Sequence, residues 1–187
     1  MTPSETSQGG GLLPVDSPAD VLEAYRGTPI EKLLLAQNLG EPYARPERPE
    51  LVVATCVDPR IVLPLPEGSA FISRSAGVNL KGEKLFQIAF ATAVPDIRHV
   101  AVIAHTDCAM RGLADKRRAF LDGLAAHGAD DRAAAESFFD RYVEHWTVGD
   151  ELEVVRADAL AVRERCGDVL VAPLLYDSAT RRIAQVL

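Results

Sequence analysis

The sequence predicts an α/β protein whose mostly parallel β-sheet carries helices on its faces. Three observations lead there. Residues 51–56 and 99–105 are continuous apolar runs rich in β-branched side chains, the pattern of strands buried on both faces. Stretches of helical spacing alternate with these runs, as crossover-connected parallel strands require. The length of 187 residues, with 48% apolar and 25% charged content, suits one globular domain with a sizeable core.

Taken in order, residues 1–17 read as a disordered tail, because Gly9-Gly10-Gly11 lies among Ser, Thr and Pro, and residues 18–187 form the single domain. Ser17 is an N-cap and Pro18 a first helical residue for a helix that places Val21, Leu22 and Tyr25 on one face. After Gly27-Thr28-Pro29 a second short helix carries Leu33, Leu34 and Leu35. Gly40, Pro42, Pro46 and Pro49 then stop it and form an extended linker. Residues 70–73 are a strand that runs into Arg74-Ser75-Ala76-Gly77. Residues 83–94 form a helix with almost no polar face, to be buried against the sheet or a second subunit. Three more helices are expected near 113–126, 131–145 and 150–165, with Gly167 stopping the last. Residues 169–176 are the final long strand, and a turn at 177–180 leads to the short segment 182–186.

The 20 basic and 27 acidic residues give a net charge of −7, which argues against a nucleic-acid partner. Lys116-Arg117-Arg118 is a solvated helix face. No run of ~18 apolar residues exists to span a membrane. The first residues lack the basic start and long apolar segment of a signal peptide. Three cysteines, an odd number, fit a reducing cytoplasm better than a disulfide framework.

The chemistry gathers at two strand ends. Cys56 and Asp58 end one apolar run, and His105 and Cys108 end another. Carboxyl ends of parallel strands are where such sheets bind ligands. Cys56, His105 and Cys108 supply two thiolates and one imidazole, the donor set of a zinc site that keeps a coordination position open for water or substrate. Zinc lowers the pKa of that water and yields a hydroxide near neutral pH. On an extended segment residues 56, 58 and 60 point to one side. Asp58 can therefore accept the proton of the bound water, while Arg60 holds Asp58 in a charge-assisted pair. The same carboxylate could instead close the fourth metal position. The reading is a zinc hydrolytic or hydration enzyme.

Cys56-Val57-Asp58-Pro59-Arg60, Arg74-Ser75-Ala76-Gly77 and His105-Thr106-Asp107-Cys108 closely resemble the three signatures of the β-class carbonic anhydrases. Leu175-Tyr176-Asp177-Ser178-Ala179-Thr180 looks like that family's last strand and turn, and the resemblance covers residues 30–187. It implies one zinc ion per chain on Cys56, His105 and Cys108, with Asp58 and Arg60 as the dyad that manages the fourth position. It implies reversible hydration of carbon dioxide to bicarbonate and a proton, and a homodimer or dimer-based oligomer. Pro59, Ser75 and Ala109 depart from the family's usual Ser or Ala, Asn and Gly, as in a divergent subgroup. Carbonyl sulfide and carbon disulfide hydrolases share the scaffold, so those substrates stay open. So does a zinc-stabilised subunit that binds a partner without catalysis. Val57, Val78 and Leu80 are candidates for a small apolar substrate pocket. Arg74 serves either to anchor the site or an anion, or as a structural ion pair. Phe138, Phe139, Tyr142 and Trp146 form a core or subunit contact. His99, His127, His145 and Cys166 have no assigned chemistry.

Overall fold

Four parallel strands make the centre of one sheet: β2 (Leu51–Thr55), β3 (Ala70–Arg74), β4 (His99–His105) and β5 (Leu170–Tyr176). The computed structural model describes residues 11–187, in which β1 (Leu12–Leu13) and β6 (Ile183–Val186) add two antiparallel strands at one edge. The order across the sheet is β1-β6-β5-β4-β2-β3, so β3 is the other edge.

Side-chain alternation explains why the central strands read as continuous apolar runs. Val53, Ala101, Ile103, Ala172 and Leu174 face one side, where they meet Ile30, Leu33 and Leu34 of α1 (Pro29–Leu39). Val52, Ala54, Val100, Val102 and Val171 face the other. There they meet Ile88 and Ala91 of α2 (Glu83–Ala93) and Val155, Ala159 and Val162 of α5 (Glu151–Cys166). With both faces covered, neither residue parity can be polar. Local chemistry sets the helix ends. The Thr28 hydroxyl accepts the Ile30 N–H at the start of α1, and the Asp150 carboxylate accepts those of Leu152 and Glu153 at the start of α5.

The helix expected after Pro18 is instead two short 3₁₀ turns, Pro18–Asp20 and Glu23–Tyr25. The buried Gln185 side chain accepts the Leu22 N–H (2.8 Å) and donates to the Asp20 carbonyl (3.0 Å). A strand residue far along the chain thus claims backbone groups that a helix needs. The sheet also begins earlier than composition suggests. Leu12 and Leu13 pair with Val186 and Gln185, and Val15 is buried, so residues 11–17 belong to the folded domain. Residues 1–10 of the expected tail lie outside the described residues. The remaining helices are α3 (Arg117–Ala126), which follows a 3₁₀ turn at Leu113–Lys116, and α4 (Arg132–Trp146). Arg117 joins the two by a double hydrogen bond to Asp140 (2.9 and 3.0 Å), so part of the basic run serves helix packing. No described helix is long and apolar enough to cross a membrane.

The helix α2 has more apolar surface than its own sheet can cover. Ile88 is fully buried, yet Phe86, Phe90 and Val94 are 70%, 56% and 67% exposed. Phe71 and Ile72 on edge strand β3 are exposed as well, and with Phe86 and Phe90 they line an apolar groove of about 500 Å³.

Asp158, buried on α5, accepts the Leu80 N–H (3.0 Å) through one oxygen, and its other oxygen has no partner. Burial pushes its carboxyl up to about 6. The folded state therefore binds a proton more tightly than the unfolded chain, and stability should fall as pH rises from ~4 to ~6 and then level off. Asp158→Asn keeps an acceptor for Leu80. It should abolish that slope and stabilise the protein at neutral pH by on the order of 1–3 kcal/mol. Denaturant unfolding across this pH range checks it, and an unchanged slope would contradict the assignment.

Candidate metal centre

Parallel pairing of β2 with β4 sets Thr55 opposite Ile103, so Cys56 and His105 emerge side by side at the carboxyl end of the sheet. Cys108 returns from the following loop, in which Asp107 takes a left-handed conformation (φ 57°). The three donor atoms lie within 4.8 Å of one another and all three residues are buried.

Each donor has a fixed setting. His105 Nδ1 lies 2.9 Å from the Thr106 carbonyl, which also accepts the Ser178 hydroxyl (2.8 Å). A carbonyl can only accept, so Nδ1 carries the hydrogen and Nε2 keeps its lone pair for another partner. Nε2 is buried and has no hydrogen-bond partner among the described residues. Cys56 Sγ accepts the Gly77 N–H at 3.3 Å. The Cys108 S–H holds the Cys56 thiol below its ordinary range, helped by His105, while Cys56 and burial push the Cys108 thiol up. Burial alone would lower the His105 pKa, and the Cys56 thiolate outweighs it. An orphaned imidazole nitrogen beside two sulfurs, with negative charge held out of water, is a setting that calls for a cation. Tetrahedral zinc needs S and N donors roughly 3.5–3.8 Å apart, which the trio can meet. The residues present fit zinc.

Asp58 lies beside the trio rather than within it. Arg60 grips both its oxygens, Nε to Oδ1 at 2.9 Å and Nη2 to Oδ2 at 2.8 Å, and its backbone N–H also donates to Oδ1 at 2.9 Å. That guanidinium holds the Asp58 carboxyl down at about 2. The second oxygen sits 3.9 Å from His105 Nε2. Arg60 Nη2 reaches the Asp107 carbonyl as well (3.0 Å), which ties the two motif loops together.

The three departures from the motif pattern find places here. Residues 58–61 form a β-turn closed by the Ile61 N–H on the Asp58 carbonyl (3.2 Å), and Pro59 occupies its second position, where proline is favoured. The missing N–H is one this turn does not use. Ser75 is buried and donates its hydroxyl to the Val78 carbonyl, while Ala109 is exposed. Of the expected pocket residues, Val78 lines a cavity of about 10 Å³ behind His105 and Cys108, Leu80 is in the core, and Val57 is exposed. The three do not form one pocket. Of the expected aromatic cluster, Phe139 is buried, whereas Phe138 and Tyr142 are exposed along a groove of about 420 Å³. Sequence reasoning missed the supports: Thr106 and Ser178 behind His105, the Gly77 amide on Cys56, and Glu151, which lines the small cavity and pairs with Arg111 (3.1 Å). No spacing rule assigns these roles, since Ser178, Gly77 and Glu151 reach the site only through the fold and Thr106 acts through its backbone carbonyl.

No protein-family model matches the sequence, and no curated protein sequence does. Solved structures do match. A β-carbonic anhydrase, isoform I, from Trichomonas vaginalis superposes with a TM-score of 0.63 at 15% identity over 82% of this chain and 91% of that one. The carbonic anhydrase of Streptococcus mutans gives 0.56 at 22% identity, over 89% and 100%. The fold is that of the β-carbonic anhydrases. An apo carbon disulfide hydrolase is similar to this chain as well, with a TM-score of 0.55 at 20% identity over 82% and 84%. The β-carbonic anhydrase fold thus accounts for the mixed sheet and its covering helices.

Gly77 tests the packing of the centre. Its φ is +67°, and a Cβ there would meet Val148 Cγ2 at 2.5 Å. Gly77→Ala should destabilise the protein by about 1–3 kcal/mol and lower zinc retention, because the strained loop carries the N–H that Cys56 accepts. Unfolding and metal analysis of one sample would show it; normal values of both would refute the role.

Proposed function

We propose that this chain is a divergent β-class carbonic anhydrase, hydrating carbon dioxide reversibly to bicarbonate and a proton with one zinc ion on Cys56, His105 and Cys108. The observation that carries the reading is the orphaned His105 Nε2 between two buried sulfurs, with the Asp58–Arg60 pair beside it. Zinc, when bound, supplies a Lewis acid that brings the ionisation of water close to neutral pH.

The protein's own groups do the rest. Cys56, His105 and Cys108 would hold the metal, and Asp58 stands beside them, within reach of a water there. Asp58 stays ionised at working pH, so it can only accept a hydrogen bond. It thereby orients the water O–H and leaves an oxygen lone pair for the carbon of the substrate. Arg60 holds both oxygens of that carboxylate and so fixes its aim.

The reading includes a homodimer built on the exposed α2–β3 face. Strand β3 has one free edge, and Phe71, Ile72, Phe86 and Phe90 are apolar there. A second copy of the same patch is self-complementary under a two-fold axis. The free thiols of the trio suit a reducing cytoplasmic setting.

Zinc-loaded protein should hydrate carbon dioxide in stopped flow, with turnover rising with pH through the neutral range. Asp58→Asn should lower kcat by ~10–100-fold or more while zinc stays bound. Full zinc without turnover at any pH would end the reading, and full activity in the variant would end the role of Asp58. The similarity to a carbon disulfide hydrolase keeps one rival, for which the same sample would consume carbon disulfide or carbonyl sulfide and not carbon dioxide. Phe86→Asp should convert a dimer to monomer in light scattering; a monomeric parent chain, or an unaffected dimer, would reject the interface.

A further inference from the structure

Arg74 ends β3 opposite Thr55, and its guanidinium spans the segment that carries the dyad. One Nη donates to the Cys56 carbonyl (2.9 Å), the other to the Ile61 carbonyl (3.0 Å). These carbonyls flank Asp58, Pro59 and Arg60. Tyr176, wholly buried at the end of β5, donates its hydroxyl to a third carbonyl, that of Arg60 (3.1 Å). The segment 56–61 has a single backbone–backbone hydrogen bond of its own, from the Ile61 N–H to the Asp58 carbonyl. Its path is therefore set from outside, by side chains of two strands.

Among the described residues Arg74 pairs with no carboxylate. A charged side chain directed at two neutral carbonyls contributes geometry. The guanidinium is a rigid planar fork that sets the distance between two acceptors, as a single ammonium cannot. That distance matters because Asp58 must face Arg60 with both oxygens while one stays 3.9 Å from His105 Nε2.

We propose that Arg74, with Tyr176, is a positioning residue for the Asp58–Arg60 pair: its fork fixes the span of the dyad turn and thereby the aim of the Asp58 carboxylate. The proposal rests on the carbonic anhydrase reading for its activity test and on geometry alone for its spectroscopic one.

The test is a cycle of four proteins: the parent chain, Arg74→Lys, Asp58→Asn and the double variant, each with zinc content measured. Arg74→Lys should lower kcat by ~10-fold with zinc retained. In the Asp58→Asn background it should change kcat by less than ~2-fold, because a residue acting through Asp58 has nothing left to aim. An equal loss in both backgrounds, or no loss at all, overturns the proposal. Should Arg74→Lys fail to fold, Tyr176→Phe removes one hydroxyl only and must show the same dependence on Asp58. Should the parent chain lack turnover, the functional reading fails and the positioning is still decided by nitrogen NMR. The Arg60 Nε–H resonance, identified by its loss in Arg60→Lys, should exchange slowly in the parent and fast in Arg74→Lys. An Arg60 resonance equally protected in both proteins overturns the proposal.

Discussion

The parallel pairing of β2 with β4 places Cys56 next to His105, and the remaining features of the site are arranged around that adjacency. Neither residue could be brought there by local structure, since they are 49 positions apart in the chain. The pairing is held by the sheet's two apolar faces. Val53, Ala101 and Ile103 sit under α1, and Val52, Val100 and Val102 under α2 and α5, so slipping by one residue would turn every contact to the wrong side. The candidate metal centre therefore takes its precision from the hydrophobic core.

Once the donors are together, the surrounding groups decide what they can do. Thr106 and Ser178 settle which imidazole nitrogen is free, Gly77 lends an amide to one sulfur, and Arg60 turns Asp58 aside from the trio. Each of these is a short bond from a neighbouring loop, and two loops, 56–61 and 105–108, are tied directly by Arg60 on the Asp107 carbonyl. The β-turn at 58–61 shows how a departure from the motif pattern can be harmless. Proline restricts φ to the value the second turn position requires, so the substitution removes a donor the turn never engages.

The surface divides along similar lines. The polar groups of the sheet's carboxyl end converge on the centre, while α2 and β3 leave apolar side chains in the open. These belong to a sheet edge, where the backbone also lacks a partner on one side. In a second exposed aromatic stretch, Phe138 of α4 packs with Phe120 of α3 at a ring distance of 6.5 Å and with Tyr142 of its own helix at 5.1 Å, and Phe138 and Tyr142 remain half in solvent.

By itself the sequence determined the class of fold, the order of strands and helices from 29 onward, and the three thiol and imidazole residues that the fold then brings together. It could do so because a strand covered on both sides must be apolar at every position, and because thiolate and imidazole chemistry is carried by residue type. The tertiary structure alone decided that residues 18–25 are 3₁₀ turns, that residues 11–17 join the domain, and that Val57, Val78 and Leu80 do not share a pocket. It alone decided that Arg74 grips the Cys56 and Ile61 carbonyls. These depend on hydrogen bonds between groups distant in sequence, such as Gln185 with Leu22 and Tyr176 with Arg60, and no local propensity or spacing records which distant group will arrive.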